Sequence, residues 1–296
     1  MSLNFRLPWE APNRATPAGC REVTLEEKPY LFAGDRQLAV QALEALIGAG
    51  DVPEVLCISD GPSSSHSDEL VAIFERAGGR TVVTGGQLRG DGVSDGLVDL
   101  DLDLALSVHC PQLIGPKALS IPQRGWFNLH PSFLPYNRGW HTPTWAILEG
   151  TPAGVSLHQM VEEVDAGPIV AQREVTVSPG DTAHTLYQRL LEAELALLLD
   201  VWADLRADQI TLQPNDLQAG TAHRRSDLFD PAVQELDLDG TARVGDVLTT
   251  LRGLTTNRWD EAAWFSSDGR RFRVRVDIRE EPKSDREDPT APATGY

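Results

Sequence analysis

The chain reads PEVLCISDGPSSSHSDELVAIFERAGGRTVVTGG from Pro53 to Gly86, and this stretch decides its fold. PEVLCIS (53–59) and RTVVTGG (80–86) are short apolar runs that predict strands, and DELVAIFERAGG (68–79) between them predicts a helix closed by glycines. Strands that alternate with helices in this way, and that are apolar throughout, indicate a parallel sheet covered on both faces.

The alternation continues on both sides of this stretch. PYLFAG (29–34) predicts an earlier strand with a helix behind it, and DLALSVHC (103–110) and GWFNLH (125–130) predict two later strands. We therefore predict an α/β fold built on a mostly parallel sheet.

A hairpin-like pair and a long helix follow. GVSLHQM (154–160) and IVAQREVTV (169–177) are strand-like runs around the loop VEEVDAGP. Behind them, leucines and Trp202 recur at spacings of four and three, which predicts a long helix capped by Asp181 or Thr182.

Composition divides the chain into parts. A short helix, VGDVLTTLRGL, and a hairpin with a turn at Ser-Asp-Gly are predicted near its C-terminal end. The predicted parts are an N-terminal extension (1–28), a main α/β domain (29–213), a linker with a small hairpin-containing unit (214–281) and a disordered tail (282–296).

The glycine- and aspartate-rich run GGQLRGDGVSDG (85–96) predicts a loop. Its glycines lack the dinucleotide spacing, and the acidic residues Asp99, Asp101 and Asp103 behind it lack the turn glycine of a calcium loop. We interpret the stretch as a solvated acidic loop without a ligand.

The charge and the cysteines narrow the class of protein. Acidic residues outnumber basic ones 44 to 26, giving a net charge of -18, and a phosphate backbone is bound by Lys and Arg. Nucleic acid is therefore not an expected partner.

Cys20, Cys57 and Cys110 form no CxxC pair and indicate reduced thiols. With neither a signal peptide nor a membrane-spanning apolar run in the sequence, we expect a cytoplasmic protein.

The run FNLHPSFLPYNRGWHTPTW (127–145) gathers polar and structure-breaking residues at a strand end. Asn128 and His130 are two apart, so they point to the same face at the edge where open parallel sheets bind ligands. An amide and an imidazole suit the stabilisation of a developing oxyanion and the movement of a proton. The alternative is an Asn that caps a turn beside a packed His.

Asp165, in VDAGP, would complete an Asn/His/Asp set for acyl transfer. A carboxylate there orients an imidazole and accepts a proton from an attacking amine, although it would also suit a simple turn cap. Neither a GxSxG motif nor a Cys beside a His is present, so direct attack by the acceptor is the more economical mechanism.

These residues belong to a longer motif string. NLHPSFLPYNRG, followed by WAILEGTPAGVSLHQMVEEVDAGPIVAQ, resembles the folate-dependent formyltransferase family, over roughly residues 30–208. The family pattern is Asn-x-His-Pro-Ser-Leu-Leu-Pro, then Arg-Gly, then Gly-Val-Thr-x-His, then Asp-x-Gly. The resemblance implies a Rossmann-like sheet, N10-formyltetrahydrofolate as formyl donor, no metal, and Asn128, His130 and Asp165 as the catalytic residues.

The resemblance also implies the binding residues. The donor is expected to contact the strand-end loop and the loop leading to Asp165, with the residues His109, Cys110, Pro111, Gln112, Ile114, Val161 and Glu163. The acceptor is expected to contact Tyr136, Asn137, Arg138 and Trp140. The sequence departs from the family pattern at Phe133 and Ser156, and HCPQ (109–112) is a less usual wording of the donor loop.

Several other histidines and tryptophans stand near these motifs. His158 is expected to have a structural role near it, and Trp140 and Trp145 are expected to pack, with substrate stacking as the alternative. His130, His141 and His158 suggest a metal triad, but their spacings match no compact ligand pattern and the family uses no metal.

The C-terminal part points to the acceptor and to the assembly. LRGLTTNRWDEAAWFSSDGRRFRVRVDI, together with YNRG, looks most like sugar N-formyltransferases, which implies a nucleotide-linked amino sugar such as a dTDP-4-amino-4,6-dideoxyhexose and a homodimer. Apolar residues from Phe272 to Ile278 alternate with arginines, so we expect a buried apolar face and a free arginine face. A natural-product amine, methionyl-tRNA, or a catalytically silent binding module are the alternatives.

Overall fold

The computed structural model of the protein describes residues 28–62, 64–89 and 95–281. The predicted disordered tail and nearly all of the predicted extension lie outside these ranges. The strands are β1 Tyr30–Gly34, β2 Val55–Ile58, β3 Thr81–Thr84, β4 Leu104–Val108, β5 Trp126–His130, β6 Arg138–Gly139, β7 Gly154–Gln159, β8 Ile169–Glu174, β9 Ala222–His223, β10 Ala263–Ser267 and β11 Arg270–Val274. The helices are α1 Arg36–Gly48, α2 Ser67–Arg76, α3 Gly85–Arg89, α4 Asp95–Val98, α5 Pro116–Leu119, α6 Thr142–Glu149, α7 Ala183–Arg206, α8 Pro231–Gln234 and α9 Val244–Gly253.

The main sheet has seven strands in the order β3-β2-β1-β4-β5-β7-β8. The strands from β3 to β5 pair in parallel, and β7 and β8 are antiparallel to their neighbours. This confirms the predicted α/β class, the mostly parallel sheet and the hairpin-like pair. The carboxyl ends of β4 and β5 lie side by side, which is the edge where such sheets bind ligands.

Two apolar clusters cover the two faces of this sheet. Tyr30 and Phe32 of β1 belong to one cluster, and Leu31 and Ala33 belong to the other, because successive strand residues point to opposite faces. The first cluster includes residues of α1, α2 and α7, and the second includes residues of α3, α4 and α5. Burial on both faces explains why the strands are apolar throughout.

The helix α7 begins at the predicted cap. The hydroxyl of Thr182 accepts a hydrogen bond from the Thr185 N–H, and the hydroxyl of Thr185 accepts one from the Thr182 N–H, which is a capping box. Asp181 supports the same turn through an ion pair with Arg189 at 2.6 Å. The helix therefore starts where two backbone N–H groups, which have no partner inside the helix, donate to side-chain hydroxyls.

The glycine-rich run 85–96 contains two short helices, α3 and α4, so the predicted loop is wrong in its described parts. Leu88 and Leu97 are 1% and 3% exposed, and their burial overrides the low helix propensity of the glycines around them. The prediction of a solvated acidic stretch is also wrong at Asp103. This residue is buried and pairs with Arg124 at 3.1 Å.

The small C-terminal unit packs on its own core and on the main body. Leu228, Leu254 and Ala263 form a third apolar cluster, and the β10–β11 hairpin turns at Asp268 and Gly269 as predicted. Arg252 donates hydrogen bonds to the carbonyls of Asp181 and Ser178, at 2.8 and 2.7 Å. This contact ties the unit to the start of α7.

The two faces predicted for the hairpin are only partly present, because β11 ends at Val274. Phe272, from the predicted buried face, is 44% exposed. Arg273, from the predicted free face, donates to the Ala262 carbonyl at 2.6 Å and to Gln234 at 3.3 Å. Within the described ranges, no helix is long and apolar enough to cross a membrane.

Candidate active site

The site begins at the carboxyl end of β5, which carries Asn128 and His130. The strand lies between β4 and β7, and its register places Asn128 opposite His158 of β7. His130 is 7% exposed, so the strand end delivers an imidazole into a buried position. The sequence prediction that these two side chains share one edge of the sheet is therefore met.

Asp165 reaches the same place from the loop behind β7. Its backbone has a φ of +51°, a left-handed conformation that Asp tolerates better than most residues. Its Oδ2 accepts a hydrogen bond from the Gly139 N–H at 2.9 Å and lies 3.4 Å from His130 Nε2. The fold thus brings Asp165 to the strand end that carries Asn128 and His130.

His158 joins the three residues more closely than its expected structural role required. Its Nδ1 donates to the Gln159 carbonyl at 2.9 Å, which orients the ring with Nε2 toward the site. The Asn128 amide meets that Nε2 at 3.3 Å, and Asp165 Oδ1 lies 3.5 Å from it. This imidazole therefore links the amide and the carboxylate of the site.

The surroundings of His130 and Asp165 lower the pKa of both groups. Burial lowers the pKa of His130 to about 4, although the charge of Asp165 acts to raise it. Burial alone would raise the pKa of Asp165, but His130, His158 and the Gly139 N–H together hold that pKa well below the usual carboxyl range. At neutral pH the site therefore contains a neutral imidazole beside an ionised carboxylate.

One atom of the site lacks a hydrogen-bond partner. His130 Nε2 is buried, and no described residue makes a hydrogen bond of normal geometry with it. Buried polar atoms are almost always partnered, so this atom beside a carboxylate is a candidate position for a reacting group. The arrangement can stabilise a negative oxygen and move a proton.

Family comparisons agree with this geometry. The sequence model of the Formyl transferase family matches residues 51–202, which is about half of the chain. The chain belongs to the formyl transferase family. It is an enzyme of the folate-dependent formyltransferases. A second family, the N-formyltransferase dimerization C-terminal domain, matches residues 229–280 of this formyltransferase.

Individual relatives show how far the likeness extends. The formyltransferase is 34% identical over 179 residues to dTDP-4-amino-4,6-dideoxyglucose formyltransferase of Mycobacterium tuberculosis, covering 60% of this chain and 74% of that protein. It is 29% identical over 248 residues to methionyl-tRNA formyltransferase of Leifsonia xyli, covering 82% of this chain and 79% of that protein. A solved sugar N-formyltransferase from a Shewanella species has the same fold, with a TM-score of 0.71 at 24% identity over 86% of this chain and 99% of that chain.

The predicted acceptor residues of the formyltransferase divide into two kinds. Asn137 is 1% exposed, and its side chain donates to Thr151 at 2.8 Å and accepts from Thr221 at 3.0 Å. It therefore holds the loop in place rather than presenting itself to a ligand. Tyr136 and Arg138 are half-buried, and Trp140 is 40% exposed with Arg225 over its ring.

The loop that carries these residues is held by a short parallel pair. Gly139 of β6 faces His223 of β9, and an added Cβ at Gly139 would lie 2.4 Å from the His223 carbonyl. The φ of Gly139 is +92°, so both space and backbone conformation require glycine. This close approach fixes the Gly139 N–H that donates to Asp165.

The predicted donor loop is also mixed in character. Gln112 is buried and accepts from Ser59 at 2.9 Å and from Cys110 at 3.4 Å. Pro111 is exposed, and Ile114 packs on the second apolar cluster. Only part of the loop is therefore presented to a ligand.

The second donor loop carries exposed apolar side chains and one ion pair. Val161 is 42% exposed and Val164 is 51% exposed. Glu163 pairs with Arg138 at 2.7 Å, which joins the predicted donor loop to the predicted acceptor loop. The family motif assigns Glu163 to the donor and Arg138 to the acceptor, and the structure joins the two residues.

His141 does not join His130 and His158. It lies beside Glu261 at 3.9 Å and against the ring of Phe229, at the base of the C-terminal unit. In the described part of the chain, no group of three His, Cys, Asp or Glu residues has the arrangement of a metal site.

Several supporting residues were missed from the sequence. His223 stacks on Trp145, with ring centroids 3.9 Å apart, and pairs with Glu149 at 3.0 Å. No local pattern announces that contact, because the two segments meet only in the fold. Glu194 did carry a signal, since it stands in the apolar stripe of α7 between Leu190 and Leu198.

Proposed function

We propose that this enzyme transfers the formyl group of N10-formyltetrahydrofolate to the amine of a nucleotide-linked amino sugar, with a dTDP-4-amino-4,6-dideoxyhexose as the acceptor. The observation that carries the proposal is the buried and unpartnered Nε2 of His130 beside ionised Asp165, in a chain of the formyl transferase family. The 34% identical relative, whose name gives dTDP-4-amino-4,6-dideoxyglucose as its substrate, supports this class of acceptor.

Each of the three residues takes a distinct step. The amine nitrogen bonds to the formyl carbon, and Asn128 stabilises the negative charge that develops on the formyl oxygen. The amine proton leaves through Asp165 and His130, which lie 3.4 Å apart, and reaches the N10 nitrogen as its bond to the formyl carbon breaks. A neutral His130 is required for this relay, and the low pKa of His130 supplies it.

The two loops fit a flat, largely aromatic donor. Leu113 is 67% exposed, and Val161 and Val164 are also exposed, on the two loops assigned to the donor. Exposed apolar side chains beside buried polar groups are typical of small-molecule sites. These side chains would contact the pterin, and Asn128, His130 and Asp165 would contact the reacting formyl group.

The C-terminal unit supports a homodimer. Residues 229–280 match a dimerization domain, and Phe272 and Leu248 are 44% and 45% exposed within it. We assign residues 29–213 to the catalytic domain and 214–281 to the linker and dimerization unit. Free Cys57 and Cys110 suit a reducing compartment, and we place the enzyme in the cytoplasm.

Methionyl-tRNA is the second candidate acceptor, because a methionyl-tRNA formyltransferase is 29% identical over 82% of this chain. Two observations disfavour it. The C-terminal residues match the dimerization domain, and the net charge of -18 opposes a polyanionic substrate.

A turnover assay tests the proposal. The full chain is incubated with N10-formyltetrahydrofolate and a panel of dTDP- and UDP-linked amino sugars, with methionyl-tRNA and free amino sugars as comparisons. We expect product only with a nucleotide-linked amino sugar, unchanged by a chelator and absent with His130→Asn. Formylation of methionyl-tRNA alone would overturn the acceptor, and donor binding without any turnover would favour a catalytically silent module.

A further inference from the structure

Glu194 occupies a position on α7 where an apolar residue is expected. Leu190, Leu197 and Leu198 are buried around it, and Glu194 itself is fully buried. A buried carboxylate loses its hydration, and replacement of a buried ion pair by apolar residues of similar volume is often neutral or stabilising. The stability of the helix therefore does not explain an acid at this position.

The partner of Glu194 is His109. His109 Nε2 lies 3.1 Å from Oε1 and 3.0 Å from Oε2 of the carboxylate, and its side chain is 8% exposed. The ring of Tyr187, two turns earlier on the same helix face, is nearly parallel to that of His109, with centroids 6.4 Å apart. One helix thus fixes both the proton-bearing atom and the plane of this imidazole.

The strand register places His109 next to the catalytic set. Val108 of β4 pairs with Leu129 of β5, so the residues that follow them, His109 and His130, emerge side by side at one sheet edge. The two rings also interact electrostatically, since a positive charge on His109 lowers the pKa of His130. The His109–Glu194 pair is therefore part of the site's surroundings and not a remote core feature.

We propose that Glu194 is a positioning residue of the donor site, which keeps a proton on His109 Nε2 and so directs His109 Nδ1 toward the formyl donor. This inference rests on the proposed function. Because Nε2 is committed to both carboxylate oxygens, the hydrogen-bonding capacity that remains on the ring is at Nδ1. A carboxylate that holds one imidazole nitrogen fixes both the orientation and the proton of the ring. Glu194 acts on the donor only through His109.

Steady-state kinetics on substituted enzymes test this role. Glu194→Leu should raise the KM for N10-formyltetrahydrofolate by about 10-fold, the usual size of the loss of one hydrogen bond to a ligand. The KM for the acceptor should not change. The melting temperature should fall, because the substitution leaves the buried His109 Nε2–H without its acceptor. Glu194→Gln should stay close to wild type, because its carbonyl oxygen still accepts from Nε2. Glu192→Leu, at an exposed position on the same helix, is the matched control.

A double substitution separates positioning from packing. His109→Asn and Glu194→Leu should each weaken donor binding, and the double variant should be no weaker than His109→Asn alone. Equilibrium binding of 5-formyltetrahydrofolate gives the same comparison for variants that turn over too slowly to assay. Additive losses, or an unchanged donor affinity in Glu194→Leu, would overturn the inference.

The wild-type measurement keeps the two proposals distinguishable. If the wild-type chain does not bind 5-formyltetrahydrofolate, the proposed function fails and this inference fails with it. If wild type binds and Glu194→Leu binds equally well, only the role of Glu194 is lost.

Discussion

His130 Nε2 lies 3.4 Å from Asp165 Oδ2, and both side chains are 9% exposed. Burial holds the pKa of His130 low, and the neighbouring histidines and the Gly139 N–H hold that of Asp165 low against burial, so both groups are deprotonated at neutral pH. Both groups can therefore accept a proton from an attacking amine.

Substitution of the three central residues should abolish transfer without unfolding the protein. Asn128→Ala, His130→Asn and Asp165→Asn are each expected to lower kcat by about 100-fold or more. Because the residues act as a unit, double variants should lose little beyond the worse single one.

The matched controls for these variants are His66→Asn and Asp200→Asn, which change the same residue types at exposed positions. The kcat of each variant measures the loss of transfer, and its far-UV circular dichroism spectrum shows whether the variant is folded. A well-folded His130→Asn with near-normal kcat would remove His130 from the mechanism.

The low pKa of His130 also predicts how stability depends on pH. The unfolded state binds a proton near pH 6.5 and the folded state only near pH 4, so stability is lost as pH falls through that window. For one such group the loss between pH 7.5 and pH 5 is about 2 kcal/mol.

Urea denaturation of wild type and His130→Asn at these two pH values measures the effect. The variant should lose less stability than wild type by about that amount. The ionised Asp165 does not obscure the comparison, because its stabilisation is lost only at lower pH. Equal pH dependence in both proteins would mean that His130 is not a buried neutral imidazole.

Thr221 should matter for the acceptor although it lies outside the motif. Its hydroxyl accepts from the Asn137 N–H at 3.0 Å and donates to the Asn137 side chain at 3.0 Å. Thr221→Val leaves both groups buried and unpaired, which should lower the free energy of unfolding by about 1–3 kcal/mol.

The same substitution should raise the KM for the acceptor more than the KM for the donor, because Asn137 holds the acceptor loop. Thr211→Val, at an exposed position, is the control. Equal changes in both KM values would show that the contact stabilises the fold without shaping the acceptor site.

The proposed dimer can be tested through one exposed side chain. Phe272→Asp places a charge on the exposed apolar surface of the C-terminal unit and should convert a dimer into a monomer. Val98→Asp, at a 54% exposed position in the main domain, should leave the assembly unchanged. Sedimentation velocity of the three proteins gives the answer, and a monomeric wild type would refute the dimer.

The sequence was most informative where burial imposes a period. Apolar runs located the strands of the main sheet, and the spacing of leucines located α7 with its cap at Thr182. The family motif located Asn128, His130 and Asp165, and the fold brings them together.

The sequence was least informative where contacts join distant segments. The strands β6 and β9 are two residues long, so they have no period to detect. The motif assigns Asn137 to the acceptor, although its side chain is hydrogen-bonded to Thr151 and Thr221 within the protein. The helices α3 and α4 form because Leu88 and Leu97 find a core, and local propensity does not reveal that.

The pairing of β6 with β9 has a thermodynamic consequence. Gly139 is held by residues of the segment that leads into the proposed dimerization unit. If subunit association orders that segment, it also strengthens acceptor binding. Acceptor binding then strengthens subunit association by the same factor. Dilution of the enzyme is then expected to weaken its apparent affinity for the acceptor while leaving donor binding intact, so that concentration itself becomes a variable of specificity.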